Sequence, residues 1–129
     1  MKVNRTIIGI GSNIEPEKNI SKALKLLADK HHLLKTASFK KTAPIGFADQ
    51  PDFINSAALV ETTFEKDTFK KELKHIENIL GRIRTSNKFG PRTIDLDIVV
   101  WNGKVVDDDY YTRDFLRSTV DEISGNSFG

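Results

Sequence analysis

The chain has no cysteine. That excludes a disulfide scaffold, a thiolate-held metal and a cysteine nucleophile together. Long apolar runs are missing too, and nothing comes near the roughly 18–20 residues that a membrane-spanning helix needs. The apolar stretch at the start, Met1 to Ile10, is short and broken by Gly9 and Gly11. A secretory leader would carry a longer apolar segment and a small-residue cleavage site, so a cytoplasmic protein is expected. Neither sign of charge dominates, with 20 Lys+Arg against 18 Asp+Glu and a net charge of +2. Duplex-binding proteins usually show a strongly basic face, and none is expected here. There is no repeat, low-complexity tract or linker. The 129 residues fit one domain, residues 1–129, long enough to bury about two-thirds of the unfolded surface.

Hydrophobic spacing gives the element order. Val3 to Ile10 is a β-branched run stopped by Gly11-Ser12-Asn13, which predicts a strand and a turn. Pro16 suits a first helical turn, and Ile20, Ala23, Leu24 and Leu27 continue at helical spacing over about 16–29. Leu33 to Thr42 and Phe53 to Thr63 read as strands, separated by a loop stiffened by Pro44 and Pro51. Phe69, Leu73, Ile76 and Leu80 mark a second helix, with Gly81 placed to cap its end. Thr93 to Trp101 is a further strand, and Asn102-Gly103 turns it back into Lys104-Val105-Val106. The last twenty residues are polar and receive no assignment. The order βαββαβ plus a hairpin strand predicts an α+β, ferredoxin-like antiparallel sheet with its helices packed on one face.

Chemistry concentrates after the second helix. Along Thr93 to Trp101, alternation places Ile94, Leu96, Ile98 and Val100 on one face and Asp95 and Asp97 on the other. Two carboxylates about 7 Å apart along one strand face repel each other unless a cation lies between them. Mg²⁺ suits such a pair, because it takes one or two carboxylates and completes its shell with water and phosphate. Asp-x-Asp by itself is more often an acidic solvent face, but aspartate is a poor strand residue and two need a reason. The segment entering the strand holds Arg82, Arg84, Lys88 and Arg92 with no acid among them, and arginine forks bind phosphate oxygens. Those four cations repel one another and few apolar residues anchor them, so the segment is expected to be mobile until a ligand closes it. No Walker-type or kinase-type glycine loop is present, and Gly9-Ile10-Gly11 is too short to count as one. A nucleotide–Mg²⁺ complex is the chemistry these parts equip.

A second constellation runs from Thr42 through Ala43 and Ile45 to Phe53 and Asn55. Phe53 and Phe89 could stack on a flat heteroaromatic ring, and Asn55 offers both a donor and an acceptor to its edge. A proline-stiffened loop with a core phenylalanine is the plainer alternative. Glu77 reads as a helix-surface residue on spacing alone, His31, His32 and His75 as surface residues without metal spacing, and Asp107-Asp108-Asp109 as a solvated run.

Taken in order, Gly11-Ser12-Asn13, Thr42-Ala43-Pro44-Ile45-Gly46, Asp49-Gln50-Pro51-Asp52-Phe53-Ile54-Asn55, Gly81-Arg82-Ile83-Arg84 and Phe89-Gly90-Pro91-Arg92-Thr93-Ile94-Asp95-Leu96-Asp97 resemble the 6-hydroxymethyl-7,8-dihydropterin pyrophosphokinases of folate biosynthesis. The resemblance covers about residues 6–107. It implies transfer of diphosphate from ATP to hydroxymethyl-dihydropterin, with AMP released, by a cytoplasmic monomer without nucleic-acid or membrane partners. By the same resemblance Asp95 and Asp97 hold two Mg²⁺ ions, and Arg82 and Arg92 are catalytic. Glu77, Arg84, Lys88, Ile98 and Arg113 serve ATP, and Thr42, Ala43, Ile45, Phe53, Asn55, Phe89 and Phe115 serve the pterin. Phe89 stands where the family commonly has tryptophan. Residues 107–129 contain no histidine or proline, whereas the family has a histidine segment there; Thr112-Arg113-Asp114-Phe115-Leu116 matches only its Arg and Phe places, as in a shortened C-terminal part. That departure keeps a non-catalytic or weakly active pterin- or nucleotide-binding relative as the alternative.

Overall fold

A computed structural model describes residues 2–43, 49–81 and 93–124. Strand β1 (Asn4–Ser12) leads to helix α1 (Pro16–Lys30), then β2 (His32–Thr36), β3 (Lys40–Thr42), β4 (Phe53–Thr62), α2 (Lys66–Ile79), β5 (Asp95–Trp101), β6 (Lys104–Val105), α3 (Asp109–Thr112) and α4 (Asp114–Ser124). The open sheet runs β2-β4-β1-β5-β6, with β3 pairing beside β2 on β4, and every pairing is antiparallel.

The two helices foreseen from periodicity pack on one face. Ile20, Ala23 and Leu27 of α1 and Phe69, Leu73 and Ile76 of α2 are buried against Ile8, Ile10, Ala58, Val60, Ile94 and Leu96. Gly81 ends α2 with φ +86°, a backbone conformation that glycine adopts without steric cost. Asn102 and Gly103 both have positive φ, at 50° and 82°, as a tight hairpin turn requires.

Four expectations need correction. The helices do not lie on one face alone, because α3 and α4 cover the opposite one. There Tyr110, Leu116, Val120 and Ile123 pack on Ile7, Ala37, Ala57, Val99 and Val100. The polar C-terminal stretch is therefore an amphipathic helix with a buried stripe. Val100 belongs to this second face, not with Ile98. Between Ile7 and Ile8 the β1–β5 register slips by one residue, from Ile7↔Val100 to Ile8↔Ile98, and such a bulge reverses the alternation beyond it. The long strand expected over Leu33 to Thr42 is two short ones. At the break, Glu122 of α4 accepts hydrogen bonds from the Ser38 backbone N–H (2.8 Å) and hydroxyl (2.9 Å).

His31 is the fourth correction. It is buried, with Nδ1 2.9 Å from the Thr62 hydroxyl and its ring edge-on to Phe64 and Phe69 at 4.8 and 5.1 Å. His32 and His75 are exposed as expected. Burial holds the His31 imidazole below its ordinary value of 6.5, against an opposing pull from Glu72. The unfolded chain then binds a proton that the folded one refuses, so stability is lost as pH falls from 6.5 toward the lowered folded value. Urea midpoints should drop between about pH 7.5 and about pH 5 by more for the wild type than for His31→Gln; equal drops would remove His31 from the acid response. On the opposite face, Val120→Asp buries an uncompensated carboxylate and should cost about 3 kcal/mol or more in urea unfolding. Arg117→Ala, on the outer side of α4, should stay within about 0.5 kcal/mol.

Candidate functional site

The antiparallel register builds the site. Gly11 of β1 lies opposite Asn55 of β4 on one side and Asp95 of β5 on the other. One row along, Gly9 lies between Ala57 and Asp97. Neither glycine puts a side chain into the space between its neighbours. A Cβ on Gly11 would stand 3.2 Å from the Asn55 side-chain oxygen, and one on Gly9 would stand 3.0 Å from Leu116 Cδ1. The result is a cavity of about 450 Å³ on the α4 side of the sheet.

Eight of the residues singled out in the sequence meet there. Thr42, Ala43, Phe53 and Asn55 line one side, Asp95 and Asp97 another, Arg113 comes from the junction of α3 and α4, and Phe115 comes from the first turn of α4. Asn55 is buried and donates to the Thr42 hydroxyl at 2.6 Å, which fixes the orientation of its amide. Ile45, Arg82, Arg84, Lys88, Phe89 and Arg92, and with them the expected closing segment, lie outside the described residues. Ile98 and Glu77 are not part of the lining. Ile98 packs against the α1–α2 core. Glu77 is fully buried, not a surface residue, and its carboxylate accepts the Leu96 backbone N–H at 2.7 Å. β6 pairs only with Val100 and Trp101, so among the described residues Leu96 has no strand partner on that edge, and Glu77 supplies the acceptor that a buried N–H requires.

The repulsion between the two aspartates is felt in how Asp97 titrates. Burial pushes the Asp97 carboxyl up to about 7, with further help from the charge of Asp95 and a hydrogen bond shared with it. About half of the Asp97 side chain remains exposed, toward the cavity. Lys74 places its ammonium 3.7 Å from Asp97 and 3.5 Å from Glu77, which draws the Asp97 carboxyl back down. Among the described residues no three His, Cys, Asp or Glu side chains are grouped to enclose a metal ion. A pair of carboxylates open to a cavity suits a hard ion that keeps positions for water and phosphate, as Mg²⁺ does.

Several lining residues escaped the sequence reading. Gly9, Lys74, Asp107, Asp109 and Thr119 also face the cavity. Asp107, expected in solvent, is half-buried, and burial raises its carboxyl above the ordinary range. Asp109 pairs with Arg113 at 3.6 Å. Gly11 and Ser12, expected in a turn, continue β1, and the Ser12–Asn13 end is a latch. The Ser12 hydroxyl lies 2.5 Å from the Thr93 carbonyl just before β5, and Asn13 donates to Gln50 Oε1 (2.8 Å) and the Pro51 carbonyl (3.1 Å) just before β4. Both flanking strands are thus tied to the same end of β1.

No helix among the described residues is long and apolar enough to cross a membrane. Residues 7–125 match the family model described as 7,8-dihydro-6-hydroxymethylpterin-pyrophosphokinase. The chain is 34% identical over 130 aligned residues to the 2-amino-4-hydroxy-6-hydroxymethyldihydropteridine pyrophosphokinase of Haemophilus influenzae, covering 92% of this chain and 81% of that protein. It is 32% identical to the Bacillus subtilis protein of the same name, over 93% of this chain and 78% of that one. With a folate synthesis bifunctional protein of Pisum sativum it shares 37% identity, over 94% of this chain and 25% of that longer one. The match spans the glycine floor, the carboxylate pair and the C-terminal helices alike, and the chain belongs to the 7,8-dihydro-6-hydroxymethylpterin-pyrophosphokinase family.

Proposed function

We propose that the cavity beside Gly9 and Gly11 is where this pterin pyrophosphokinase brings its two substrates together. The reaction is the family's: the hydroxymethyl oxygen of hydroxymethyl-dihydropterin attacks the β-phosphorus of ATP in line, the bond from that phosphorus to the α-phosphate oxygen breaks, and AMP leaves. The observation that carries the reading is the row Asn55–Gly11–Asp95. Strands are about 4.8 Å apart, so the row sets a ring-binding amide and a carboxylate roughly two strand spacings apart in one cavity. That separation suits a ring and a phosphate chain placed side by side.

In this reading Thr42, Asn55, Phe53 and Phe115 hold the pterin, its flat ring against aromatic faces. Asp95 and Asp97 hold Mg²⁺, two ions by the family pattern, and when bound these supply the charge neutralisation that phosphoryl transfer needs. Arg113 faces the phosphates from the junction between α3 and α4, and Arg82, Arg84, Lys88 and Arg92 belong to the nucleotide side by their sequence places. Glu77 acts from below, holding β5 at Leu96 and so fixing where Asp95 and Asp97 stand. Counting β2 and β3 as one interrupted strand, the sheet order reads as the ferredoxin-like split βαβ arrangement.

AMP release dependent on hydroxymethyl-dihydropterin tests the reading. Asp97→Asn should lower it by about a hundredfold or more. A carboxyl held above its unfolded value costs the metal-free fold stability as pH rises from 3.8 to about 7. In metal-free buffer the variant should therefore match or exceed the wild-type melting temperature at about pH 8, and the two should converge below about pH 4. Near-normal turnover by Asp97→Asn would sink the carboxylate assignment. Gly11→Ala forces the Asn55 amide to yield by a few tenths of an ångström against its Thr42 bond. It should raise KM for the pterin roughly tenfold and change KM for ATP far less. Equal effects on both substrates would place the pterin elsewhere.

A further inference from the structure

Lys74 is a cation built into a site that is expected to take another one. It projects from α2 into the cavity, with its side chain one-third exposed. Among the described residues its ammonium has three oxygen neighbours: the Leu96 carbonyl at 3.4 Å, Glu77 Oε2 at 3.5 Å and Asp97 Oδ1 at 3.7 Å. None of the three is a short, well-formed bond, since charged N–H···O⁻ contacts run about 2.7–2.9 Å. The ammonium is therefore held mainly by charge, among three oxygens it does not fully engage. Glu77 is fixed in place by the Leu96 N–H and is fully buried. Asp97 is the neighbour that also faces the cavity, and so the one a metal could take.

We propose that Lys74 is a resident countercation of Asp97, and that a divalent ion reaches Asp97 only by displacing it. The inference rests on the reading of Asp95 and Asp97 as metal ligands. An ammonium and a divalent ion cannot both lie within about 4 Å of one carboxylate without strong mutual repulsion in a partly desolvated cavity. Entry of the ion drives the ammonium away from Asp97. Glu77 and the Leu96 carbonyl keep the stem near, so the displaced charge remains beside the cavity, where a phosphate oxygen is its natural acceptor. Residue 74 thereby sets how much metal the protein holds before a nucleotide arrives.

The test is titration of Mn²⁺ alone into the full chain, followed by its electron paramagnetic resonance signal, for wild type, Lys74→Gln, Lys74→Arg and Asp97→Asn. Lys74→Gln should bind Mn²⁺ on the order of tenfold more tightly than wild type. Lys74→Arg, which keeps the charge, should bind like wild type, and this separates loss of charge from any loss of packing. Unchanged or weaker binding by Lys74→Gln, with binding lost in Asp97→Asn, would overturn the countercation role and leave the metal platform standing. Binding by Asp97→Asn equal to wild type, or no binding by wild type and Lys74→Gln alike, would overturn the platform and this inference together.

Discussion

β1 pairs with β4 along one side and with β5 along the other, so each of its residues sets the distance between two others. At most positions that space is filled: Ile8 and Ile10 on the α1–α2 face and Ile7 on the α4 face are all core. Only at Gly9 and Gly11 does the α4 face lose its side chains. A strand interior gains nothing from glycine, which gives up packing and backbone entropy. Here that loss is the condition for everything else. The gap lets Asn55 and Asp95 look across one another, lets Leu116 of α4 come within 3.0 Å of where a Cβ would stand on Gly9, and leaves a cavity on a sheet that would otherwise be closed. Ser12 and Asn13, latched to the entrances of β5 and β4, keep the register that makes the gap a row.

The electrostatics of the site follow from an edge. β5 is nearly the edge of the sheet, because β6 covers only its last two residues. Its backbone at Leu96 therefore needs partners from outside the sheet. Both come from α2, Glu77 to the N–H and Lys74 to the carbonyl. A side-chain pair recruited to finish a strand edge thus lies directly beside the aspartate pair. Gathering four charged groups around one partly desolvated cavity edge, with Glu77 fully buried among them, is costly unless the charges are compensated. Asp95 and Asp97 share a hydrogen bond, and Lys74 lies between Asp97 and Glu77.

What could be read from the chain, and what could not, divides along physical lines. Local periodicity placed α1, α2, the β1 strand and the hairpin, because each buries a stripe that its own spacing reveals. The aspartate pair was legible for the same reason, two charges at period two in a strand. Val100 was not, because a bulge depends on the register with β1 and leaves no mark on β5 alone. Glu77 carried a signal that went unread: it falls four residues after Leu73 and three before Leu80, on the buried stripe itself, so its burial followed from the spacing that defined the helix. Leu116, Val120 and Ile123 carried a similar one, at i, i+4 and i+7, hidden by the polar residues around them. His31 carried none. Its burial comes from Phe64, Phe69 and Thr62, which only the tertiary fold assembles.

The C-terminal helices join stability to function. Tyr110, Leu116, Val120 and Ile123 close the second core, and Tyr110 is tied to α4 through a 2.6 Å bond from its hydroxyl to Asp121. From the same short stretch, Arg113, Phe115 and Thr119 line the cavity. Along α4 the inward positions nearest its start face the cavity, and those further along face packed side chains. The reason lies in the floor beneath. Where β1 offers Ile7 the helix meets a core, at Gly9 its Leu116 moves into the space that a Cβ would take, and toward Gly11 it meets the cavity. One helix laid across one strand is therefore wall at one end and core at the other. A change that loosens the packing at Val120 must also move Arg113 and Phe115, since a rigid helix transmits the shift along its length.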